Sequence, residues 1–135
     1  MSGNSSMLAM QLQEKLAAKF ADRQFEILDV MDAGNLNYAD YDLIIFLCST
    51  WDDGQPNING REYLQSLTSD KTQGKKWAVI GLGDSAYPHF CGAVPIIEAR
   101  LKELGANLAG ESFKVDGMVD EMVVDKVVAW VETVL

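Results

Sequence analysis

Apolar residues recur at helical spacing near both ends of the chain. Near the N-terminus, four of them are spaced four positions apart with polar residues between them: Leu8, Leu12, Leu16 and Phe20. This spacing predicts an amphipathic helix. Near the C-terminus, a second set lies on one helical face: Val123, Val127, Val128, Val131 and Val134. Valine favours strands intrinsically, so we predict a helix there in which packing outweighs propensity.

Between these helices, shorter apolar runs predict strands. FEILDV at 25–30 alternates apolar and acidic residues, while DLIIFLC at 42–48 and KWAVIGLG at 76–83 are nearly continuous apolar runs. Continuous runs of this kind are typical of parallel strands buried on both faces. Short segments at NLA and SFKV predict a broken final strand.

Two further helices are predicted between the strands. REYLQSL at 61–67 is a short helix candidate, and apolar residues from Val94 to Leu104 follow helical spacing up to Gly105, a suitable C-cap. The resulting alternation of strands and helices indicates an α/β fold with a parallel sheet of four recognisable strands. A length of 135 residues with 48% hydrophobic content predicts one domain spanning 1–135.

The charge balance limits the classes of partner. A formal net charge of −9 argues against nucleic acid, whose binding requires clustered Lys and Arg, and favours basic protein partners. The longest apolar run, LIIFLC, is far too short to cross a bilayer, and no targeting signal precedes it. Cys48 and Cys91 lack the spacing of a metal site. We therefore expect a cytoplasmic protein with reduced thiols and no metal or membrane partner.

Three loops carry the candidate chemistry, because ligands of open parallel sheets bind beyond the carboxyl ends of the strands. MSGNSS offers glycine, amide and hydroxyl groups beside the first N–H groups of a helix, although a plain serine cap explains it equally well. CSTWDDGQPN places Trp51 on a turn, where it either folds onto the sheet edge or offers a flat face to a ligand. The adjacent pair Asp52 and Asp53 more often marks a solvated turn than a metal site.

The third loop, GLGDSAYPHFCGA, follows a buried strand. It is not a dinucleotide fingerprint, because Ala86 stands where the third glycine of that motif belongs. His89 has no carboxylate or nucleophile at a motif spacing, so we expect no catalytic role for it. Tyr87 is placed to supply a second aromatic face.

Three segments together resemble the ligand loops of the flavodoxins of the short-chain type: GNS, STW with the acidic residues that follow it, and GLGDSAYPHFCGA. The resemblance implies the flavodoxin-like doubly wound sheet and noncovalently bound FMN. It implies a phosphate site at Ser2, Gly3, Asn4 and Ser5, and a flavin ring between Trp51 and Tyr87. Further cofactor-binding positions carried over from these motifs are Ser49, Thr50, Asp52, Gly83, Asp84, Phe90 and Cys91.

The function implied by this resemblance is low-potential, one-electron transport between redox enzymes, with no catalysis of bond making. Acidic residues such as Asp52 and Asp84 make a reduced, anionic flavin costly, and an acidic surface suits redox partners with basic docking patches. We expect a monomer. Two alternatives remain open: an FMN-binding accessory protein that serves a single enzyme, and a receiver-type regulatory domain, which would need an aspartate where this chain has Cys48 to Thr50.

One departure from the resembled family concerns its first strand. In that family a strand precedes the phosphate loop and lies between the strands predicted here at 25–30 and 42–48. This chain has no counterpart of it. We therefore expect about ten further residues upstream in the working protein, or a four-stranded sheet with a gap beside FEILDV or with FEILDV shifted against DLIIFLC.

Overall fold

Parallel strands with helices on both faces make up the architecture. The computed structural model describes residues 3–50, 54–86 and 91–135, and only the backbone at 3, 4, 34 and 35. The elements in chain order are α1 (Gly3–Lys19), two 3-10 helices (Val30–Asn35 and Tyr38–Asp40), β1 (Ile44–Ser49), α2 (Ile58–Ser66), α3 (Ser69–Thr72), β2 (Lys76–Gly83), α4 (Ala93–Glu103), β3 (Asn107–Leu108), β4 (Phe113–Asp116) and α5 (Glu121–Val134).

The strand β2 is the centre of the sheet. It pairs in parallel with β1 on one side, in a register that sets Ile44 opposite Trp77. On its other side it pairs in parallel first with β3 and then with β4. The short β3 and β4 therefore act as two pieces of one strand position, and the predicted broken final strand is confirmed.

Two hydrophobic clusters lie on opposite faces of the sheet. On one face, Trp77 and Val79 pack with α4 residues such as Ile97. On the other face, Ile80 and Leu82 pack with the apolar sides of α1 and α5. Because successive side chains of a strand point to opposite faces, the apolar run of β2 contributes to both clusters. This double covering confirms the predicted α/β class, and the C-terminal valine-rich segment is a helix as predicted.

The predicted strand FEILDV is wrong. Residues 24–29 lie outside any strand, and a 3-10 helix begins at Val30. A strand needs a neighbour for its backbone groups, but here the Phe25 carbonyl accepts a hydrogen bond from the Gln13 side chain at 2.6 Å. The Asp29 carboxylate accepts from the Met31 N–H at 3.1 Å and so caps the 3-10 helix.

The other predicted helices form with small shifts at their ends. The helix predicted at 61–67 begins earlier, at Ile58, because the Asn57 side chain caps it by accepting from the Gly60 N–H at 2.9 Å. The α4 helix ends before Gly105, which adopts a left-handed φ of 80°. Within the described ranges, no helix is long and apolar enough to span a membrane.

Candidate functional site

The site begins where β1 and β2 end side by side. Ser49, the last residue of β1, is in register with Leu82 of β2, and the Thr50 N–H donates to the Leu82 carbonyl at 2.9 Å. The two strands are parallel, so the loops that follow them leave the same edge of the sheet. Such an edge is where ligands bind in open α/β folds.

The two loops contact each other through one side-chain hydrogen bond and one close approach of their backbones. The Ala93 N–H at the start of α4 donates to the Thr50 Oγ1 at 3.2 Å. A Cβ built on Gly92 would stand 2.8 Å from the Gly54 carbonyl oxygen, closer than real Cβ atoms come. Glycine at position 92 therefore permits the close approach of the loop after β2 to the loop after β1.

Asn57 fixes the far end of the loop after β1. Its side-chain amide donates to the Ser49 Oγ at 3.1 Å, and its backbone N–H donates to the Ser49 carbonyl at 3.2 Å. The same side chain caps α2. Sequence reasoning missed Asn57; the available signal was an Asn directly before a helical segment.

Two aspartates shape the loop after β2. The Asp84 carboxylate accepts from the Ala86 N–H at 2.9 Å, as is usual for an Asx turn. The Asp116 carboxylate, at the end of β4, accepts from the Ser85 N–H at 2.8 Å. Hydrogen bonds from the Ser85 side chain and backbone hold the pKa of Asp116 below its usual value. Sequence reasoning missed Asp116, because its contact joins two loops that are distant along the chain.

The loop after β2 is also held close to its own strand. A Cβ on Gly83 would stand 2.9 Å from the Cys91 backbone nitrogen, so a side chain there would displace the returning chain. The Gly117 N–H, from the loop after β4, donates to the Gly83 carbonyl at 2.8 Å. Three neighbouring segments thus meet at Gly83.

Both cysteines are buried and lie beside this edge. Burial raises the pKa of Cys48 and of Cys91 to about 11. Cys91 has a left-handed φ of 48°, and its Sγ lies 3.7 Å from the Gly81 carbonyl oxygen, inside the sheet. The thiols are therefore protonated at neutral pH, and neither is poised as a nucleophile.

The structure places some of the predicted site residues and not others. Those described with their side chains at the shared edge are Ser49, Thr50, Gly83, Asp84 and Cys91. Gly3, Asn4 and Ser5 form the first turn of α1, with Ser5 almost fully buried. The predicted residues that lie outside the described ranges are Ser2, Trp51, Asp52, Tyr87 and Phe90, together with Asp53 and His89.

The described residues suit a ligand held by neutral groups. At the edge, the hydroxyls of Ser49 and Thr50 lie near the exposed carboxylates of Asp84 and Asp116, whereas the N-terminal turn of α1 carries no acidic side chain. The first turn of α1 has no acidic residue, and the first N–H groups of a helix favour a phosphate. Within 3–50, 54–86 and 91–135, no cluster of His, Cys, Asp and Glu is arranged to hold a metal ion. The neutral first turn of α1 therefore fits the phosphate of a ligand such as FMN.

Comparison with known proteins agrees with this fit. The flavodoxin family profile matches residues 1–130. The chain is 34% identical over 132 residues to a flavodoxin of Maridesulfovibrio salexigens, covering 95% of this chain and 86% of that protein. It is also similar to the crystal structure of oxidised flavodoxin 2 from Bacillus cereus, with a TM-score of 0.77, 34% identity, and coverage of 98% of this chain and 90% of that one.

A flavodoxin of Fusobacterium nucleatum, whose structure was determined with bound flavin mononucleotide, shares the fold. The TM-score is 0.71 at 14% identity, over 98% of this chain and 90% of that one.

Proposed function

The chain belongs to the flavodoxin family, and from this premise we propose that its FMN lies at the carboxyl end of the sheet, between the loops after β1 and β2. FMN is the cofactor of the family, and electron transport is its function. When bound, FMN supplies the redox chemistry, accepting and releasing single electrons. The protein residues supply binding, orientation and electrostatics.

The contact between the two loops is the observation that carries this placement. The hydrogen bond from the Ala93 N–H to the Thr50 Oγ1 and the approach of Gly92 to Gly54 hold both loops at one edge. A flat ring inserted there would touch residues of both loops. We assign the stacking positions to Trp51 and Tyr87. They come directly after Thr50 and Ala86, which are the last described residues of the two loops before each gap. This assignment rests on the family motif.

The phosphate of FMN is assigned to residues 2–5. Gly3, Asn4 and Ser5 lie in the first turn of α1, whose leading N–H groups have no partner within the helix. These neutral donors bind a dianion without placing a cation near the flavin. Cys91 belongs to the site through its backbone only, since its Sγ is directed at main-chain carbonyls inside the sheet.

The acidic residues at the edge favour a low potential. Asp84 and Asp116 are exposed carboxylates that shape the loop after β2. Reduction adds negative charge to a flavin, and nearby carboxylates oppose that charge. Both carboxylates lie at the edge that we assign to the flavin, so we expect them to raise the free energy of the reduced flavin and to make the protein a strong reductant.

The 135 residues form one FMN-binding domain that acts as a cytoplasmic monomer and catalyses no bond making of its own. Its net charge of −9 steers it toward basic patches on redox partner proteins, at rates that fall with added salt. Transfer assays with purified reductases and acceptors, at two ionic strengths, test this assignment and separate a general carrier from an accessory protein serving one enzyme.

Titration of the apoprotein with FMN tests the site. Trp51→Ala and Tyr87→Ala should each weaken FMN binding more than Asp53→Ala does, because stacking contributes about 0.5–1.5 kcal/mol beyond area burial. Flavin fluorescence quenching gives the dissociation constants. Equal affinities for the three variants would contradict the stacking assignment, and no binding by the unmodified chain would contradict the proposed function.

A further inference from the structure

Two methionine side chains are largely exposed at the carboxyl end of the sheet. Met118, in the loop after β4, is 82% exposed, and Met122, in the first turn of α5, is 69% exposed. Single apolar residues are common on protein surfaces, but these two are only four positions apart. Exposed methionines are typical of surfaces that bind other proteins, because the flexible thioether side chain adapts to the shape of a partner.

The fold keeps both side chains at the surface. Val119 directly follows Met118 and is buried in the hydrophobic cluster that α1 and α5 cover. Val124 is buried in the same cluster. It lies about 200° around the axis of α5 from Met122, because each helical residue turns by about 100°. The two valines fill the core positions of this segment, so the methionines are left in contact with water.

Met118 lies next to the edge that we assign to the flavin. The N–H of the preceding residue, Gly117, donates to the Gly83 carbonyl at 2.8 Å. One residue earlier, the Asp116 carboxylate accepts from the Ser85 N–H, also at 2.8 Å. The chain leading to Met118 is therefore bonded to the loop after β2. A protein that covers Met118 would stand beside the site proposed for FMN.

The carboxylates around the methionines indicate the charge of the partner. Residues 115–125 include four acidic side chains and no basic one. Two of the four form ion pairs with Lys15 of α1. The other two, Asp116 and Asp120, lie on either side of Met118, are exposed, and form no ion pair within the described ranges. Such carboxylates attract a basic surface at rates that fall with added salt.

We propose that Met118 and Met122 form the apolar centre of the surface on which a basic redox protein docks. The partner that fits presents lysine or arginine side chains around an apolar patch beside its own redox centre. A second copy of this chain does not fit, because each copy carries a net charge of −9. The inference rests on the proposed electron-carrier function and adds the place of docking, which is the loop after β4 and the start of α5.

The test measures binding of cytochrome c, a basic haem protein, to the full chain saturated with FMN. With both proteins oxidised, calorimetry at low ionic strength measures association without electron transfer. The surface variant is Met118→Ala/Met122→Ala. Met31→Ala is the matched control, because Met31 is 75% exposed and also has aspartates nearby in sequence, but lies in the 3-10 helix Val30–Asn35. That helix packs, through its first residue, against the cluster on the other face of the sheet.

We expect the double variant to weaken cytochrome c binding about tenfold and Met31→Ala to leave it unchanged. The salt dependence of binding should not change, because no charge is altered. Equal affinities of the double variant and the unmodified chain, or an equal loss in Met31→Ala, would overturn the proposal. Absence of binding by the unmodified chain would overturn it as well.

Two further measurements separate this proposal from the proposed function. FMN affinity and the rate of ferricyanide reduction, which needs no protein docking surface, should be the same in the double variant and the unmodified chain. A lower FMN affinity in the double variant would overturn the docking proposal, because a disturbed fold would then explain the loss. An unmodified chain that neither binds FMN nor reduces ferricyanide would contradict the proposed function itself.

Discussion

The Asp116 carboxylate accepts a hydrogen bond from the Ser85 backbone N–H at 2.8 Å, across a separation of 31 residues. This bond ties the loop after β2 to the end of β4. Asp116 thereby positions the loop assigned to FMN, although we place no cofactor contact on its side chain. A loop fixed before the ligand arrives binds with a smaller loss of conformational entropy.

Removing this tether should weaken FMN binding. We expect Asp116→Ala to raise the dissociation constant severalfold and Asp116→Asn to raise it less, because the asparagine carbonyl still accepts from Ser85. Asp22→Ala, which removes an exposed charge elsewhere on the surface, is the control. Fluorescence titration measures all three. If Asp22→Ala weakened binding as much as Asp116→Ala, general charge and not the tether would be responsible.

The pH dependence of the tether follows from the direction of the pKa shift. The pKa of Asp116 is lowered in the folded chain by hydrogen bonds from Ser85. Its contribution is therefore complete above the ordinary aspartate value of about 3.9 and is lost as the pH falls through the lower folded value. The ratio of FMN affinities for the unmodified chain and Asp116→Asn should stay constant between about pH 5 and pH 8. A ratio that changes across that window would assign the effect to another group.

Gly83 offers a second test of loop position. A Cβ there would stand 2.9 Å from the Cys91 backbone nitrogen, so Gly83→Ala must shift the returning loop. We expect FMN affinity to fall about tenfold, or ~1.4 kcal/mol. Gly74→Ala is the control: Gly74 lies before the opposite end of β2, with a φ of 72° and open space around its Cβ position, so alanine there adds strain without a clash. Similar losses of FMN affinity in both variants would contradict the specific role of position 83.

Strands were predicted correctly from the sequence where helices cover both faces of the sheet. The continuous apolar runs of β1 and β2 identified strands covered on both faces. The valine-rich C-terminal segment was predicted as a helix from its periodicity alone, and α5 confirms it. FEILDV was wrongly predicted as a strand, because its alternating pattern carries no information about a neighbouring strand. Without a paired strand beside it, the segment accepts a hydrogen bond from Gln13, and Asp29 caps the 3-10 helix that follows.

At the site, local motifs located the loops but not the contacts between them. The resemblance to the flavodoxin loops identified Thr50, Gly83 and Asp84 as site residues. The bonds of Asn57 to Ser49 and of Asp116 to Ser85 join residues 8 and 31 positions apart. Such contacts depend on the register of the sheet, which no single motif contains. The stacking roles of Trp51 and Tyr87 remain predictions, because both residues lie outside the described ranges.

A buried hydrogen bond from Thr72 holds α3 against the end of α4. Its hydroxyl, which is fully buried, donates to the Leu104 carbonyl at 2.7 Å. Thr72→Val leaves that carbonyl without its donor, so we expect the free energy of unfolding to fall by about 1–3 kcal/mol. Thr133→Val is the matched control, because Thr133 is exposed and its loss should stay within about 0.5 kcal/mol. Urea unfolding of both variants gives the values, and equal losses would contradict the argument.

Gly81 and Val94 are predicted to be energetically coupled. Gly81 lies in β2 between both neighbouring strands, and a Cβ there would stand 2.2 Å from the Cγ2 of buried Val94. A β-branched side chain has little rotamer freedom with which to move away. Gly81→Ala alone should therefore destabilise the fold by about 1–3 kcal/mol through overpacking.

Shortening Val94 removes the atom that clashes. The double variant Gly81→Ala/Val94→Ala should be more stable than the sum of its single variants implies, by about 0.5–3 kcal/mol. Chemical unfolding of the four proteins in this cycle measures the coupling directly. Since β2 carries the loop assigned to FMN, the double variant should also recover FMN affinity lost in Gly81→Ala. Additive unfolding energies would mean that β2 moves away from α4 and that the glycine is not required for their close packing.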